Sequence, residues 1–132
     1  GHWRSPPGRR RAIDAAPGGQ GNWCALHMAM GPAPLAGCGV AGFACRSAAP
    51  AFQVIHAALR SGTGADAAGP GFADTFFDKH ILALPDPAAH LDALVPDQRP
   101  DLPAAAPWRE LGLFLPVTAF RWSLMDLRVF AV

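Results

Sequence analysis

The sequence predicts a mainly α fold, four or five short helices around a Phe/Leu core with long Gly/Pro-rich connections. Three observations support this. Phe52, Ile55, His56 and Leu59 recur at the spacing of one helix face. Asp86-Pro87 offers an N-cap followed by a proline at the first helical position. Beyond Pro116, the residues Val117, Phe120, Leu124, Leu127 and Ala131 repeat at three- and four-residue steps.

In order along the chain, residues 1–22 lack apolar periodicity and are rich in Gly, Pro and Arg, with Arg9, Arg10 and Arg11 in one run. They are expected to form a flexible basic arm, leaving 23–132 as a single small α-rich domain. Trp23 to Met30 suits a short helix ended by Gly31 and Pro32. Val40 to Cys45 is a short apolar run that fits a buried strand. A helix from Ala48 to Arg60 has Ser47 as cap, Pro50 in its first turn and Gly62 beyond its end. Gly62 to Gly71 is loop by composition. A helix from Ala73 to Leu84 aligns Phe77, His80, Ile81 and Leu84 before Pro85 stops it. Asp86 then caps a short helix over 87–95, with Leu91, Leu94 and Val95 on its apolar side. Pro96 to Pro107 is proline-punctuated loop. Trp108 to Leu115 is a helix candidate, and a helix after Pro116 competes with a strand from Phe120 to Leu124.

Nearly half of the residues are Ala, Arg, Gly or Pro, with one Lys (Lys79), one Glu (Glu110), one Asn (Asn22) and no Tyr. Helix stability favours Lys and Glu over Gly and Pro, so this skew reflects a GC-rich nucleotide composition and not selection for a fold. Short Ala/Gly/Pro motifs therefore arise by coincidence. A net charge of +1 gives no electrostatic case for nucleic acid. No formal charge occurs between Asp14 and Arg46, but Gln20, Asn22, His27, Pro32 and Pro34 interrupt that stretch, and a transmembrane span is not expected.

Cys24, Cys38 and Cys45 are an odd number and cannot close a disulfide framework. They point to reduced thiols in an intracellular setting, or to a Cys38–Cys45 bridge with Cys24 left over. Three Cys with His27 supply enough donors for a structural zinc site, but the Cys38–Cys45 spacing is wider than a zinc knuckle, and no metal site is assigned. A thiol at the start of a helix over Trp23–Met30 would have its thiolate stabilised by the unpaired N–H groups. His80 would then take its proton and Asp86, Asp92 or Asp97 orient the imidazole. The chain order Cys24, His80, Asp86 resembles the Cys…His…Asp layout of papain-like and transglutaminase-like enzymes, which implies acyl transfer or hydrolysis. Cys45 through Leu59-Arg60-Ser61-Gly62 resembles the nucleophile-bearing segment of thiolase and ketoacyl-synthase folds, where a Cys opens a buried helix. The same residues are accounted for by buried thiols and a hydrogen-bonded core histidine.

Trp108 to Val132 is the most apolar part of the chain. Apolar surface beyond what a small core covers becomes an interaction surface. The expected function is therefore a small structural or protein-interaction module, with a protein partner or a second copy docking through residues 108–132 and no cofactor. The Cys–His enzyme is the alternative.

Overall fold

The computed structural model describes residues 3–4, 11–15, 23–30, 34–63, 71–116 and 120–132. It overturns the mainly α expectation. The elements are strands β1 (Trp3–Arg4), β2 (Arg11–Ala15), β3 (Trp23–Ala29), β4 (Ala41–Ala48), β5 (Gln53–Gly62), β6 (Phe72–Phe76), β7 (Ile81–Ala83), β8 (Ala88–Leu94), β9 (Arg109–Pro116) and β10 (Phe120–Ala131). Among the described residues the helical structure is one 3-10 turn, Pro96–Gln98.

The strands form two antiparallel sheets. In the first, β10 lies between β4 on one side and β1 and β2 on the other, and β8 follows β4. In the second the order is β3-β9-β5-β6, with β7 also on β5. Most connections between consecutive strands cross from one sheet to the other, the winding of a jelly roll. The core lies between the inner faces, where Trp122, Phe43, Ile55, Leu59, Leu111, Leu115 and Val129 are almost wholly removed from water.

Each expected helix has a local reason to be a strand. In β5, Ile55, Ala57, Leu59 and Ser61 are buried on one face, while His56 and Arg60 are only partly covered on the other. Ile55 and Leu59 are four residues apart, a separation that satisfies a helix and a strand equally. The alternation is masked because Ala58, on the opposite face, is as apolar as Ala57. The expected 73–84 helix is β6, a turn and β7. The expected 87–95 helix is β8, where Leu94 is buried and Leu91 is 60% exposed, so the two leucines face opposite ways. Asp86 is an exposed turn residue with no helix to cap. Trp108 to Leu115 becomes β9, with Leu111, Leu113 and Leu115 inward at a strict period of two.

The C-terminal segment misleads for a different reason. Trp122 and Leu124 are buried, as are Leu127, Val129 and Ala131, and the register of β10 on β4 shifts between Leu124 and Asp126. That bulge inserts one residue and resets the alternation, so two period-two runs out of phase imitate helical steps. The Val40–Cys45 run is part of β4, as a buried strand. The expected helix opened by Cys45 is this same strand, and the Trp23–Met30 helix is β3. Of the expected basic arm, residues 3–4 and 11–15 are strands paired with β10; Arg9 and Arg10 lie outside the described residues. No helix among the described residues is long and apolar enough to cross a membrane.

β6 and β7 share one edge of β5 in series, β6 along Ala58–Gly62 and β7 along Gln53–Ile55. At the break between them the chain sends Phe77 inward, where its ring meets Phe43 edge-on at 4.9 Å. The buried Asp92 carboxylate of β8 accepts a hydrogen bond from the Lys79 backbone N–H at 2.9 Å and so fixes this turn. His80, the next residue, lies over His56 on the outer face.

Candidate functional site: the outer face of the second sheet

Residues of alternating parity on β9, β5 and β6 turn away from the core and line up in cross-strand rows. The first row is Trp108, Gly62 and Phe72, because Gly62 receives Phe72 in register and donates its N–H to the Trp108 carbonyl at 2.9 Å. The second is Glu110, Arg60 and Asp74, and the third His27, Gly112, Ala58 and Phe76. The fourth joins Phe114 to His56, with His80 stacked on it.

The small residues in these rows explain why aromatic rings stay flat on the sheet. A Cβ at Gly62 would stand 2.6 Å from Cε2 of Trp108, so the indole rests directly on the glycine backbone. A Cβ at Gly112 would lie 3.1 Å from the Phe114 ring. Glycine inside a strand weakens it and commonly marks such a close approach. Phe114 also lies 5.7 Å from the Phe76 ring and 6.2 Å from His27, edge-on to the latter. Phe76 is 47% exposed and Trp108 36%.

The middle row is ionic. Arg60 Nε and Nη2 donate to the two Asp74 carboxylate oxygens at 2.8 and 2.9 Å, a bidentate pair. The guanidinium lies 3.7 Å from the Phe72 centroid, within cation–π range. The hydrogen bond to Asp74 holds Arg60 above its ordinary pKa. Glu110 approaches His27 Nδ1 at 3.1 Å. His56 and His80 stack at 4.0 Å with planes 16° apart. Burial, and secondarily the neighbouring His80, lowers the His56 pKa, which keeps this imidazole neutral over more of the pH range.

Arg109 positions the row edge from beneath. It is fully buried on the inner side of β9 and donates to Ser61 Oγ at 2.7 Å and to the Pro103 carbonyl at 2.6 Å. These bonds tie the loop before β9 to the end of β5, the two segments that bring Trp108 onto Gly62. Thr75 Oγ1 adds a bond to the Asp101 carbonyl, and Arg99 one to the Phe76 carbonyl. The loop is thereby fastened to β6.

The residues singled out from sequence are not gathered in one place. Cys24 lies within β3 and not at a helix start; its side chain is outside the described residues. His80 precedes β7, and β9 and β5 intervene, so the two backbones are three strand spacings apart, about 14 Å. Asp86 is in the exposed turn between β7 and β8. Cys38 and Cys45 are both buried. Cys38 donates to the Pro34 carbonyl. Burial, reinforced by Asp126, pushes the Cys45 thiol up to about 12. No group of three or more potential metal ligands occurs among the described residues. The apolar C-terminal stretch is mostly core, and what remains of it at the surface includes Trp108, Phe114 and Phe130. The sequence reading missed Phe72, Phe76, Arg60 and Asp74 as a group, because they meet only once β5 and β6 pair. Gly112, flanked by Leu111 and Leu113, is the available signal. Compared with protein-family profiles, curated proteins and solved structures, the chain finds no match.

Proposed function

We infer that this protein is a non-catalytic recognition module, and that its binding surface is the outer face of the β3-β9-β5-β6 sheet. One observation carries the reading: Trp108, Phe72, Phe76 and Phe114 lie on that face around strand residues reduced to Gly or Ala. An aromatic ring in water forfeits burial worth on the order of 2 kcal/mol. Four rings share this face, Trp108 and Phe76 exposed and Phe72 and Phe114 half-buried, and with Arg60 among them they have the aromatic and arginine enrichment of binding interfaces. Fold alone assigns no activity, so the argument rests on this face. The separation of Cys24 from His80 lends no support to nucleophilic catalysis, which needs the thiol and imidazole within hydrogen-bond reach.

The test is a parallel selection on immobilised wild-type protein and on a Trp108→Ala/Phe76→Ala double variant, using displayed random peptides and an oligosaccharide array. At least one ligand class should be retained by the wild type and lost by the variant. Equal retention by the two proteins would remove the face from consideration.

A further inference from the structure

We propose that the ligand of this face is a neutral saccharide, bound across the rows from Trp108 to Phe114. The inference rests on the reading of the outer face as the binding surface. It comes from the order of the rows, which inverts the anatomy of a protein interface.

Protein interfaces place apolar residues at the centre and charges at the rim, and charged groups are depleted at the core. Here the charges are flanked on both sides. Trp108 and Phe72 form the first row, and beyond the charges lie Phe76 of the third row and Phe114 of the fourth, their rings 5.7 Å apart; Glu110, Arg60 and Asp74 run between the two aromatic pairs. A protein surface pressed over this arrangement would strip the water that remains on Glu110, about one-third exposed, and on the already paired Arg60 and Asp74, a desolvation cost that mutual attraction often fails to recover. A lipid or other hydrocarbon ligand would incur the same cost.

A pyranose has the complementary chemistry. Its axial C–H groups form an apolar patch that sits on an aromatic face, whose π cloud is the negative side of the ring quadrupole. Its hydroxyls radiate from the edge and both donate and accept. They donate to carboxylate lone pairs of Asp74 and Glu110 and accept from the guanidinium, so each charge exchanges water for a charge-assisted hydrogen bond. Spacing is compatible as well: Trp108 and Phe72 are separated by two strand widths, about 10 Å, and Trp108 and Phe114 by six residues of strand, about 20 Å. That is a platform for a short oligosaccharide and not for a single sugar ring.

Charge decides which saccharides qualify. The rows carry two carboxylates, Asp74 and Glu110, against one permanent cation, Arg60. Arg60 is already engaged by both oxygens of Asp74. The face is left with an excess negative charge, which repels uronic and sulfated sugars.

The experiment titrates the intact protein at pH 7.5 with cellohexaose, xylohexaose, mannohexaose and maltohexaose, and with hexagalacturonate as the anionic arm. Calorimetry and the emission of Trp108 give the readout. At least one neutral hexasaccharide should bind, and Trp108→Ala, Phe76→Ala and Asp74→Asn should each weaken it about tenfold or more. Trp108 and Phe76 are partly exposed, so their variants should melt within a few degrees of the wild type, which separates lost binding from lost fold. The proposal is overturned if no neutral hexasaccharide binds, if only the anionic one does, or if binding survives all three substitutions. Sedimentation velocity distinguishes the two readings. Self-association abolished by Trp108→Ala and Phe76→Ala, without saccharide binding, would leave the face a protein surface and sink the saccharide alone. Neither behaviour changing in the variants would sink both.

Discussion

Arg60 and Asp74 face each other across the β5–β6 pair and share two hydrogen bonds, 2.8 Å from Nε and 2.9 Å from Nη2. Both side chains are about four-fifths covered, so water screens this pair less than it would a surface ion pair. Replacing either residue by Ala should cost about 1 kcal/mol, with a coupling of similar size in the double variant. Arg60→Lys should not restore it, because an ammonium makes neither the bidentate pair nor the flat contact with Phe72. Urea unfolding of the single and double variants measures both quantities.

Phe77→Ala and Asp86→Ala separate the observed fold from the helical expectation. Phe77 is 5% exposed and packs on Phe43, so its truncation should cost about 3 kcal/mol or more. Asp86 is exposed and caps nothing, so Asp86→Ala should stay within about 0.5 kcal/mol. A loss near 1 kcal/mol at Asp86 would restore the helix cap that the strands deny.

Acid should destabilise the protein through two histidines. Burial lowers the pKa of His90, against an opposing contribution from Asp92 and with a smaller one from Lys79 in the same direction. Its Nε2 is buried without a hydrogen-bond partner. Burial and His80 lower His56. In each case the unfolded chain binds the proton more readily than the folded one. Their contribution is therefore fully present above the unfolded value near pH 6.5 and is lost as the pH falls toward the lowered folded value. The melting temperature should decline from pH 7.5 to pH 5, and His90→Gln should flatten the decline. A pH-independent melting temperature would contradict this.

Cys45 should resist alkylation at pH 8 while the protein is folded, because its pKa near 12 leaves almost no thiolate. Per-site mass spectrometry after iodoacetamide should find Cys45 labelled only on addition of denaturant. Labelling of native Cys45 within minutes would show that β4 opens locally.

Gly62→Ala should lift the Trp108 indole from the sheet, since the new Cβ has no room beneath it. Collisional quenching of Trp108 by acrylamide should rise, and overpacking should cost about 1 kcal/mol or more. Fully buried Trp122 serves as the unquenched internal reference.

The sequence marked the breaks and several core residues better than the elements between them. Ile55, Leu59, Phe77 and Leu94 are buried as their apolar character implied. The loop from Pro96 to Pro107 holds only the 3-10 turn, and Val40 to Cys45 lies in a buried strand region. Elsewhere the strands read as helix because alanine occupies both faces of β5 and β8, which erases the period-two contrast on which a strand is recognised. Spacings of four fit both structures, and the bulge after Leu124 turned two strand runs into an apparent helix. At the site, His80 stacks on the imidazole of His56. His56 lies on β5, whose periodicity reads as helical. Long-range pairing of this type leaves no local trace, whereas a glycine in a run such as Leu111-Gly112-Leu113 does.

The position of β10 also constrains how the molecule reaches its native state. It is the latest strand in chain order, yet it sits between β4 and both N-terminal strands, with Leu127 opposite Cys45 and Trp122 opposite Ile13. On a ribosome, the first sheet would wait with β4 unpaired on one side until β10 emerged. Assembly dominated by such distant partners is intrinsically slow, of the order of milliseconds to seconds. During that interval the backbone edge of β4 is available to any other strand, so crowding of nascent chains, and not the stability of the finished sandwich, sets the hazard of misassembly.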